Sequence, residues 1–537
     1  MAAASCKRGS NRNTCTASAS PLQRASCYRC QRSWLFLWTR FCAPSTIFPL
    51  VQLAIEPFES RLPSSFIASP PLDSLRRVGS IHTMSGWGSW LKGDSAAAAG
   101  SGAPAASGSN FHAITDTVSQ DALFGPLQAS DLEWTCAGGF TTETQTWYSF
   151  LEDGSFATSQ IIHSAVGLWY PQVQMTFKYF NPKTGKKIWK SVNVTKFAAP
   201  PSAGAAGPQG DKRSSKAAEF TVLFTTTEAG EDKYTITANL DADLQLSWSF
   251  VRPAATQGWK LGAGPKGGFS YFGSNLGSPE GYVIHRFWPV AESEGHIISQ
   301  GTAIDAKGKG MFVHAIQGMR PNLVAAKWNF ANFQAQDDKL GRVSGIMMEF
   351  TTTPDYGSVA EGANARESLT VNIGSIVADG KLVAVSAATR SAGSPASEAS
   401  RKSNSFARHL DPMLDQDTGY QAPQAIEFHW QAPLLDSASG KGDVDHKVEA
   451  QLKVDLGKPY PSSETHGLVD KVDVLAEIPY MVRKLVNYVA GTKPYIYQTL
   501  NPATLTLTLP EQYAGAGKGE STSIKGTLFE EHTFISG

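Results

Sequence analysis

Residues 234–250 read YTITANLDADLQLSWSF, and the alternation within this stretch decides the fold class. Every even-numbered residue from Tyr234 to Phe250 is apolar, and every odd-numbered residue is Thr, Asn, Asp, Gln or Ser. Because successive side chains of a strand point to opposite faces, the pattern predicts strands with one buried and one wet face. As a single strand the stretch would span roughly 56 Å, far beyond the usual length. We therefore expect a bend or hairpin near Asp241–Asp243.

Similar alternating runs recur from Phe124 onward, and short turn sequences such as Glu152-Asp153-Gly154 and Ala378-Asp379-Gly380 separate several of them. Many short strands joined by tight turns are typical of barrels and sandwiches. Two successive strand-rich blocks, 124–291 and 292–537, indicate a pair of barrels. The predicted strands are Thr144–Leu151, Ser155–His163, Val173–Phe180, Phe220–Phe224, Gly345–Thr351, Leu369–Val377, Leu382–Ser386, Ile426–Trp430 and Leu505–Leu509.

One stretch near the C-terminus has helical spacing instead. Pro479–Ala490 begins with proline and precedes Gly491, which matches the usual ends of a helix. Its apolar residues share one helical face, namely Val482, Leu485, Val486 and Val489. We predict a single C-terminal helix here.

Charge and cysteine content divide the chain near residue 84. Residues 1–83 hold 10 of the 47 Lys and Arg residues, only 3 of the 47 Asp and Glu residues, and five of the six cysteines. The rest carries 37 basic and 44 acidic residues, and this slightly acidic balance argues against nucleic-acid binding. Cys136 is its only thiol, so a disulfide framework is not expected.

The composition of residues 1–83 has two interpretations. A basic, Ser- and Ala-rich start is typical of a mitochondrial transit peptide, and also of upstream sequence translated from a start codon placed too early. We favour the second interpretation because Met84 opens a segment with the properties of an N-terminus. In either case we predict a disordered extension over 1–83, followed by an anchor and flexible linker over 84–123.

The segment after Met84 has the pattern of a membrane anchor. Trp87, Trp90 and Leu91 are spaced i, i+3 and i+4, so they share one face of a helix, and Lys92 follows. Indole rings favour the boundary between lipid headgroups and acyl chains. The alternative is a disordered tip, since Gly86 and Gly88 lower helix propensity.

The sequence gives little support for a catalytic or cofactor-binding motif. Gly262-x-Gly264-x-x-Gly267 matches a dinucleotide fingerprint by letter, but Pro265 lies inside it and no helical pattern follows. We interpret it as a loop at a barrel rim. No P-loop, zinc-protease or nucleophile-elbow motif occurs, and no two histidines have metal-ligand spacing. We expect neither cofactor nor metal.

The strand-rich part contains more aromatic residues than turns and surface positions would need. An eight-stranded barrel leaves room for one small ligand, and apolar aromatic walls suit such a site. Ordinary core packing is the alternative for any one of them. The candidate lipid-contacting residues are Trp147, Trp169, Phe177, Trp248, Phe250 and Trp328.

Several stretches resemble the fungal survival-factor family, which is associated with survival under oxidative stress. They are Trp147–Gly154, Gly310–Pro321 with the following Trp328-Asn-Phe330, and Val486–Tyr497, while Tyr282–Pro289 is similar to the family's junction between halves. The resemblance covers roughly Phe124 to the C-terminus. It implies an all-β fold of two lipocalin-like (calycin) barrels in tandem.

The same resemblance implies a non-enzymatic function. Members carry ceramide or a similar sphingolipid from the endoplasmic reticulum to the Golgi without vesicles. They reach these membranes from the cytoplasm through an acetylated N-terminal amphipathic helix, which would correspond here to Ser85–Lys92 after removal of Met84. This sequence differs from the family pattern in two ways, by the glycines in that helix and by the extension over 1–83.

Two alternatives stay open from the sequence. Some distant lipocalin-like proteins are hydratases or cyclases of isoprenoid lipids, and His163, His285 and Glu349 are the candidate catalytic residues for that case. A scaffold with solidly filled barrels is the other alternative. An open apolar tunnel would favour a carrier, convergent buried acids an enzyme, and a packed core a scaffold.

Overall fold

The computed structural model describes residues 109–165, 171–200, 211–359, 365–392, 405–477 and 493–535. All of them fall within one compact unit, Ala97–Gly537. No helix in these ranges is long and apolar enough to cross a membrane.

The first sheet contains 15 strands in the described part of the chain. Its main path runs β6-β5-β4-β3-β15-β13-β10-β9-β8-β7, and β1, β2, β11, β12 and β14 pair at its side. The strands are β1 (Phe111–His112), β2 (Phe124–Pro126), β3 (Thr142–Leu151), β4 (Phe156–Ser164), β5 (Gln172–Phe180), β6 (Lys187–Asn193), β7 (Ser215–Lys216), β8 (Phe220–Thr226), β9 (Asp232–Asp241), β10 (Leu244–Arg252), β11 (Trp259–Leu261), β12 (Phe269–Phe272), β13 (Gly281–Ser299), β14 (Thr302–Asp305) and β15 (Gly308–Gly318).

The second sheet contains 11 strands over the same described ranges, with the main path β18-β19-β17-β16-β28-β27-β25-β24-β21. β20 pairs with β19 and β26 with β27, while β22 and β23 form a separate hairpin. The strands are β16 (Lys327–Asp337), β17 (Gly341–Thr351), β18 (Gly357–Ser358), β19 (Glu367–Ala378), β20 (Lys381–Ser391), β21 (Phe406–Leu410), β22 (Met413–Leu414), β23 (Gln421–Ala422), β24 (Ala425–Asp436), β25 (Lys441–Asp455), β26 (Leu468–Asp473), β27 (Tyr495–Thr508) and β28 (Ser521–Phe534).

The hairpin predicted within residues 234–250 is confirmed. β9 ends at Asp241, β10 begins at Leu244, and these two residues pair across the turn. Apart from Ala242 in the exposed turn, the even-numbered side chains face the core of the first sheet, so the alternation identified the buried face correctly. The all-β class and the division of the strands into two large sheets are likewise confirmed. Each predicted strand coincides with or lies within an observed strand to within one residue.

The pairing places the division between the sheets later than predicted. β13 runs through residue 291, and β15 pairs with β3 over Gly308–Gln317. Residues 292–318 therefore belong to the first sheet, and the division lies between Gly318 and Lys327. The sequence could not show this because the partner of β15 lies far away in the chain.

The end of the predicted linker also packs on the body. Phe111 is buried and contacts Phe272 of the first sheet and Phe350 of the second, with ring centroids 5.0 and 6.1 Å apart. The segment continues into α1 (Ile114–Thr117) and a 3₁₀ turn at Gln120–Ala122. Residues 111–122 are thus part of the folded unit and not a tether.

The remaining helices of the described ranges are single turns: α2 (Ala129–Leu132), α3 (Pro321–Val324) and α4 (Val474–Glu477). The predicted helix Pro479–Ala490 and the anchor Ser85–Lys92 both lie outside the described residues. The loop Gly262–Gly267 joins β11 to β12 and opens no helix, as expected for a loop and not for a phosphate cradle.

An apolar interface joins the outer faces of the two sheets. Phe156 of β4 stacks on Phe529 of β28 with ring centroids 4.3 Å apart. The ring centroids of Tyr148 of β3 and Phe330 of β16 are 5.5 Å apart. These rings belong to a buried cluster drawn from both sheets, so the two halves share part of their core.

Candidate functional site

Aromatic side chains fill the interior of the first sheet. Four of the six residues predicted to contact lipid lie here together, Trp147 on β3, Phe177 on β5, and Trp248 and Phe250 on β10. All four are at most 2% exposed. They lie together because alternate side chains of a strand point to the same face. In β3, β5 and β10, the face that carries these four residues points into the interior of the sheet.

Two groups of rings make up this interior. The ring centroid of Trp147 lies 5.3 Å from those of Tyr234 and Phe312, and the ring centroid of Trp288 lies 5.1 Å from that of Tyr234. In the second group, Trp248 contacts Phe250 at 4.7 Å and Phe177 at 6.1 Å, in edge-to-face arrangements. Such geometry is favourable for aromatic pairs and fixes the rings in place.

Polar atoms of this interior lack partners. The indole Nε1–H groups of Trp147, Trp248 and Trp288 and the hydroxyl of Tyr234 are buried without a hydrogen-bond partner among the described residues. The side-chain oxygens of Gln145 and Ser159, on the same faces of β3 and β4, are also unpaired there. An unsatisfied buried donor costs about 1–3 kcal/mol. Polar groups of a bound ligand would remove that cost.

The other predicted contact residues lie elsewhere. Trp328 is half-buried on the face of β16 turned toward the first sheet, beside a cavity of about 10 Å³. Trp169 falls in 166–170, and the anchor residues Trp87, Trp90, Leu91 and Lys92 fall before residue 109, so all five lie outside the described residues.

A buried charged network closes one end of the first-sheet interior. His314 of β15 contacts the Glu143 carboxylate through Nε2 and the Asp131 carbonyl through Nδ1, both at 2.8 Å. Lys260 donates to the Asp131 carboxylate at 2.8 Å, and Arg286 lies 3.4 Å from it. All five side chains are at most 7% exposed.

Hydrogen bonds occupy both ring nitrogens of His314 and the carboxylate of Glu143, which limits the chemistry of this pair. Burial alone would raise the pKa of Glu143, but hydrogen bonds from His314 and Thr135 and the nearby imidazole charge lower it below its usual value. The backbone N–H groups of Thr135 and Cys136 also donate to this carboxylate. Both ring nitrogens of His314 face oxygen atoms, so neither is free to exchange a proton with a ligand.

The sequence analysis did not identify this network. Its members come from α2, β3, β11, β13 and β15, and only the fold brings them together. One signal was available, because Glu143, Gln145 and Trp147 share one face of a strand. A charged residue on the strand face that otherwise carries core residues indicates that it has a buried partner.

The three candidate catalytic residues do not form one site. His163 faces the first-sheet interior near Phe197, and burial lowers its pKa. His285 lines the cavity of about 10 Å³ between the sheets, where burial lowers its pKa to about 4. Glu349 lies inside the second sheet, bonded to Asn372 and Arg390 at 2.8 Å. Each has different neighbours, so the arrangement does not provide a shared acid and base.

Metal and thiol chemistry have little support in the described ranges. No group of three or more His, Cys, Asp or Glu side chains there could hold a metal ion. Burial, followed by the nearby Glu143 charge, raises the pKa of Cys136 to about 11. This thiol is therefore protonated near neutral pH and is a poor nucleophile.

Comparison with known proteins gives consistent matches over most of the chain. The sequence model of the Svf1 family matches residues 88–536. The ceramide-binding protein SVF1 of Yarrowia lipolytica is 32% identical over 452 residues, covering 83% of this chain and 99% of that protein. The ceramide-binding protein svf1 of Aspergillus fumigatus is 31% identical over 461 residues, covering 83% and 100%. That of Schizosaccharomyces pombe is 28% identical over 451 residues, covering 83% and 99%.

Solved structures give weaker matches. A putative AttH protein from Nitrosomonas europaea aligns with a TM-score of 0.39 and 12% identity, covering 76% of this chain and 96% of its own. Kievitone hydratase from Nectria haematococca aligns with a TM-score of 0.37 and 9% identity, covering 80% and 98%.

Proposed function

Because this chain belongs to the Svf1 family, we propose that it binds ceramide or a closely similar sphingolipid and carries it between membranes without chemical change. Relatives that match over nearly their full length are named ceramide-binding proteins. The proposal extends that binding to this chain.

The unpaired donors of the first-sheet interior carry the proposal at the structural level. Ceramide has an amide and two hydroxyl groups, whose oxygens accept hydrogen bonds, and two hydrocarbon chains. The indole N–H groups of Trp147, Trp248 and Trp288 and the Tyr234 hydroxyl supply donors within an apolar wall. Since the rings fill this interior, binding requires some of them to move. The ligand then satisfies donors that are otherwise buried unpaired.

A carrier needs no catalytic group to perform this task. Removing a lipid from a bilayer costs about 0.8 kcal/mol per CH₂, or on the order of 24 kcal/mol for ~30 carbons. A protein interior that replaces the bilayer as solvent offsets most of that cost. Both ring nitrogens of His314 are hydrogen-bonded, and His163, His285 and Glu349 lie apart from one another. These two features favour this function over a hydratase or cyclase.

We extend the proposal to the route of transfer. The carrier would move ceramide from the endoplasmic reticulum to the Golgi and contact both membranes from the cytoplasm. Trp87, Trp90, Leu91 and Lys92 would form the interfacial anchor, because tryptophan favours the headgroup boundary. Preventing ceramide accumulation would then support survival under oxidative stress without thiol chemistry.

The test is ceramide binding by matched aromatic variants. Tyr234→Phe removes one unpaired hydroxyl from the interior, whereas Tyr148→Phe removes a buried hydroxyl from the interface between the sheets. A hydrogen bond contributes about 0.5–1.5 kcal/mol, so the first variant should weaken binding roughly 2- to 10-fold and the control should not. Equal affinities of the two variants would remove this interior from the proposal. Purified protein that neither retains nor transfers ceramide would refute the function itself.

A further inference from the structure

The hairpin of β5 and β6 lies in a part of the chain that has basic but no acidic residues. Residues 154–210 contain six lysines and no arginine, aspartate or glutamate, whereas the chain from Met84 onward carries 37 basic and 44 acidic residues. Within the described ranges β6 pairs with β5 alone, so it is the last strand on its side of the first sheet. The basic segment therefore lies at an edge of the folded body.

Three lysines of this hairpin are exposed and have no carboxylate partner among the described residues. Lys183 and Lys186 lie in the turn, and Lys187 begins β6. The ammonium group of Lys183 donates to the backbone carbonyl of Asp153, and that of Lys187 lies 3.5 Å from the carbonyl of Leu468. Both contacts are to neutral oxygens, so no acidic side chain of the described ranges neutralises these three charges.

Hydrogen bonds fix the turn that carries the lysines. The Asn181 side chain accepts from the backbone N–H groups of Lys183 and Thr184 at 3.0 and 3.1 Å, and the Gly185 N–H donates to the Asn181 carbonyl at 2.8 Å. Gly185 has a φ of 70°, which glycine adopts without strain. The lysines are therefore presented on an ordered turn, and binding there requires little further loss of backbone entropy.

Trp189 lies on the same face of β6 as Lys187, two residues along the strand. It is 42% exposed and is the only exposed tryptophan among the described residues. The Lys178 ammonium lies 4.4 Å from its ring centroid, and Lys178 is itself buried and paired with Asp470 at 2.6 Å. This cation–π contact supports the ring from the side of the protein, so the exposed position of the indole is a defined one.

Lysines around an exposed tryptophan match the chemistry of an anionic membrane surface. Ammonium groups are attracted to anionic headgroups, and indole rings favour the boundary between headgroups and acyl chains. A membrane can be contacted by one small patch, because the other charges of the protein lie beyond a Debye length of about 8–10 Å. Nucleic-acid-binding domains are instead basic as a whole, and this body carries a net negative charge.

We infer that Lys183, Lys186, Lys187 and Trp189, which we call the β5–β6 patch, bind the surface of membranes that contain anionic phospholipids. The ammonium groups contact lipid phosphates and the Trp189 ring lies among the headgroups. The inference goes beyond the proposed function, because it assigns a membrane contact to the folded body and does not depend on which lipid the protein carries.

Sedimentation of the full chain with vesicles tests the inference. The vesicles contain phosphatidylcholine with or without phosphatidylserine. A lysine near an anionic membrane contributes about fivefold to binding. Replacing Lys186 and Lys187 together with Glu should therefore weaken binding to the phosphatidylserine vesicles by roughly 25-fold or more. Trp189→Ser should weaken binding to these vesicles several-fold.

The control is the double replacement of Lys447 and Lys453 with Glu, which makes the same change of net charge at two exposed lysines of β25. It should weaken binding by less than about fivefold. Both double variants keep Trp87 and Trp90, so any contribution of those residues is the same in each. Hydrogen exchange of the unmodified chain adds a measurement without substitutions, and the amides of residues 181–193 should exchange more slowly on phosphatidylserine vesicles.

Three results would overturn the inference. They are no binding to phosphatidylserine vesicles, equal losses in the patch and control variants, and tighter binding of single-stranded DNA than of vesicles through the same lysines. Ceramide retention, measured on the same proteins, separates this inference from the proposed function. Vesicle binding through the β5–β6 patch by a protein that retains no ceramide would sustain the patch and refute the proposed function. Ceramide retention with vesicle binding unaffected by the patch variants would do the reverse.

Discussion

Glu531 provides a pH-dependent test of the interface between the sheets. It lies on β28, two residues after Phe529, and is on the face turned toward the first sheet. Gln498 donates a hydrogen bond to its carboxylate, and Lys178 of the first sheet bonds to the same Gln498 side chain. The Lys178 ammonium is paired with Asp470 at 2.6 Å, so it only partly offsets the charge of Glu531.

Burial raises the pKa of Glu531 from 4.5 to about 7. The folded state therefore holds the proton more tightly than the unfolded state, and stability falls as pH rises from about 4.5 through 7. A rise in pKa from 4.5 to about 7 corresponds to about 3 kcal/mol, at about 1.36 kcal/mol per pKa unit. The effect on stability is at most this large, because solvent reaches part of the Glu531 side chain. Below pH 4.5 both states are protonated and the effect disappears.

Glu531→Gln removes the titration and keeps an oxygen that accepts from Gln498. We expect the variant to be more stable than the unmodified protein by up to about 3 kcal/mol at pH 8 and equally stable near pH 4.5. Urea unfolding at both pH values measures the difference. The control is Glu520→Gln, which removes an exposed carboxylate paired with Lys339 and should change stability by at most about 1 kcal/mol. A Glu531→Gln variant that is less stable than the unmodified protein at pH 8 would show that the carboxylate is favourably paired and refute the reasoning.

Three further predictions concern the other charged, thiol and anchor residues. Lys260→Met leaves the Asp131 carboxylate buried beside Arg286 alone and should destabilise the fold by about 3–5 kcal/mol in thermal or urea unfolding; a loss below 1 kcal/mol would mean that the pair is not buried as described. Cys136→Ser should leave unchanged any peroxide protection that the protein provides in cells, because a thiol with a pKa of about 11 is unreactive near neutral pH; lost protection with intact folding would contradict this. Replacing Trp87 and Trp90 with Asp should release the protein from membranes in fractionation and slow lipid transfer between vesicles, since each buried indole contributes at least about 1.5–3 kcal/mol; unchanged localisation would remove the anchor from the proposal.

The class of the fold and the buried face of its strands follow from the sequence alone. The alternation from Tyr234 to Phe250 located a hairpin and its core side. Trp147, Phe177 and Trp248, which were predicted to contact lipid, lie on the buried faces of their strands. These properties are local, because the direction of a side chain along a strand depends only on its position in the alternation. The resemblance of short motifs then pointed to the family.

Which strands are neighbours could be seen only in the folded protein. The predicted boundary at residue 291 was too early because β15 pairs with β3, and Trp328 lies at the interface between the sheets and not in the first-sheet interior. The Glu143–His314 contact likewise depends on segments distant in sequence. Alternation shows which face of a strand is buried but not which strands pair with it. Pairing is selected by the packing of whole sheets, and for that reason the sites between strands are properties of the fold and not of any one stretch.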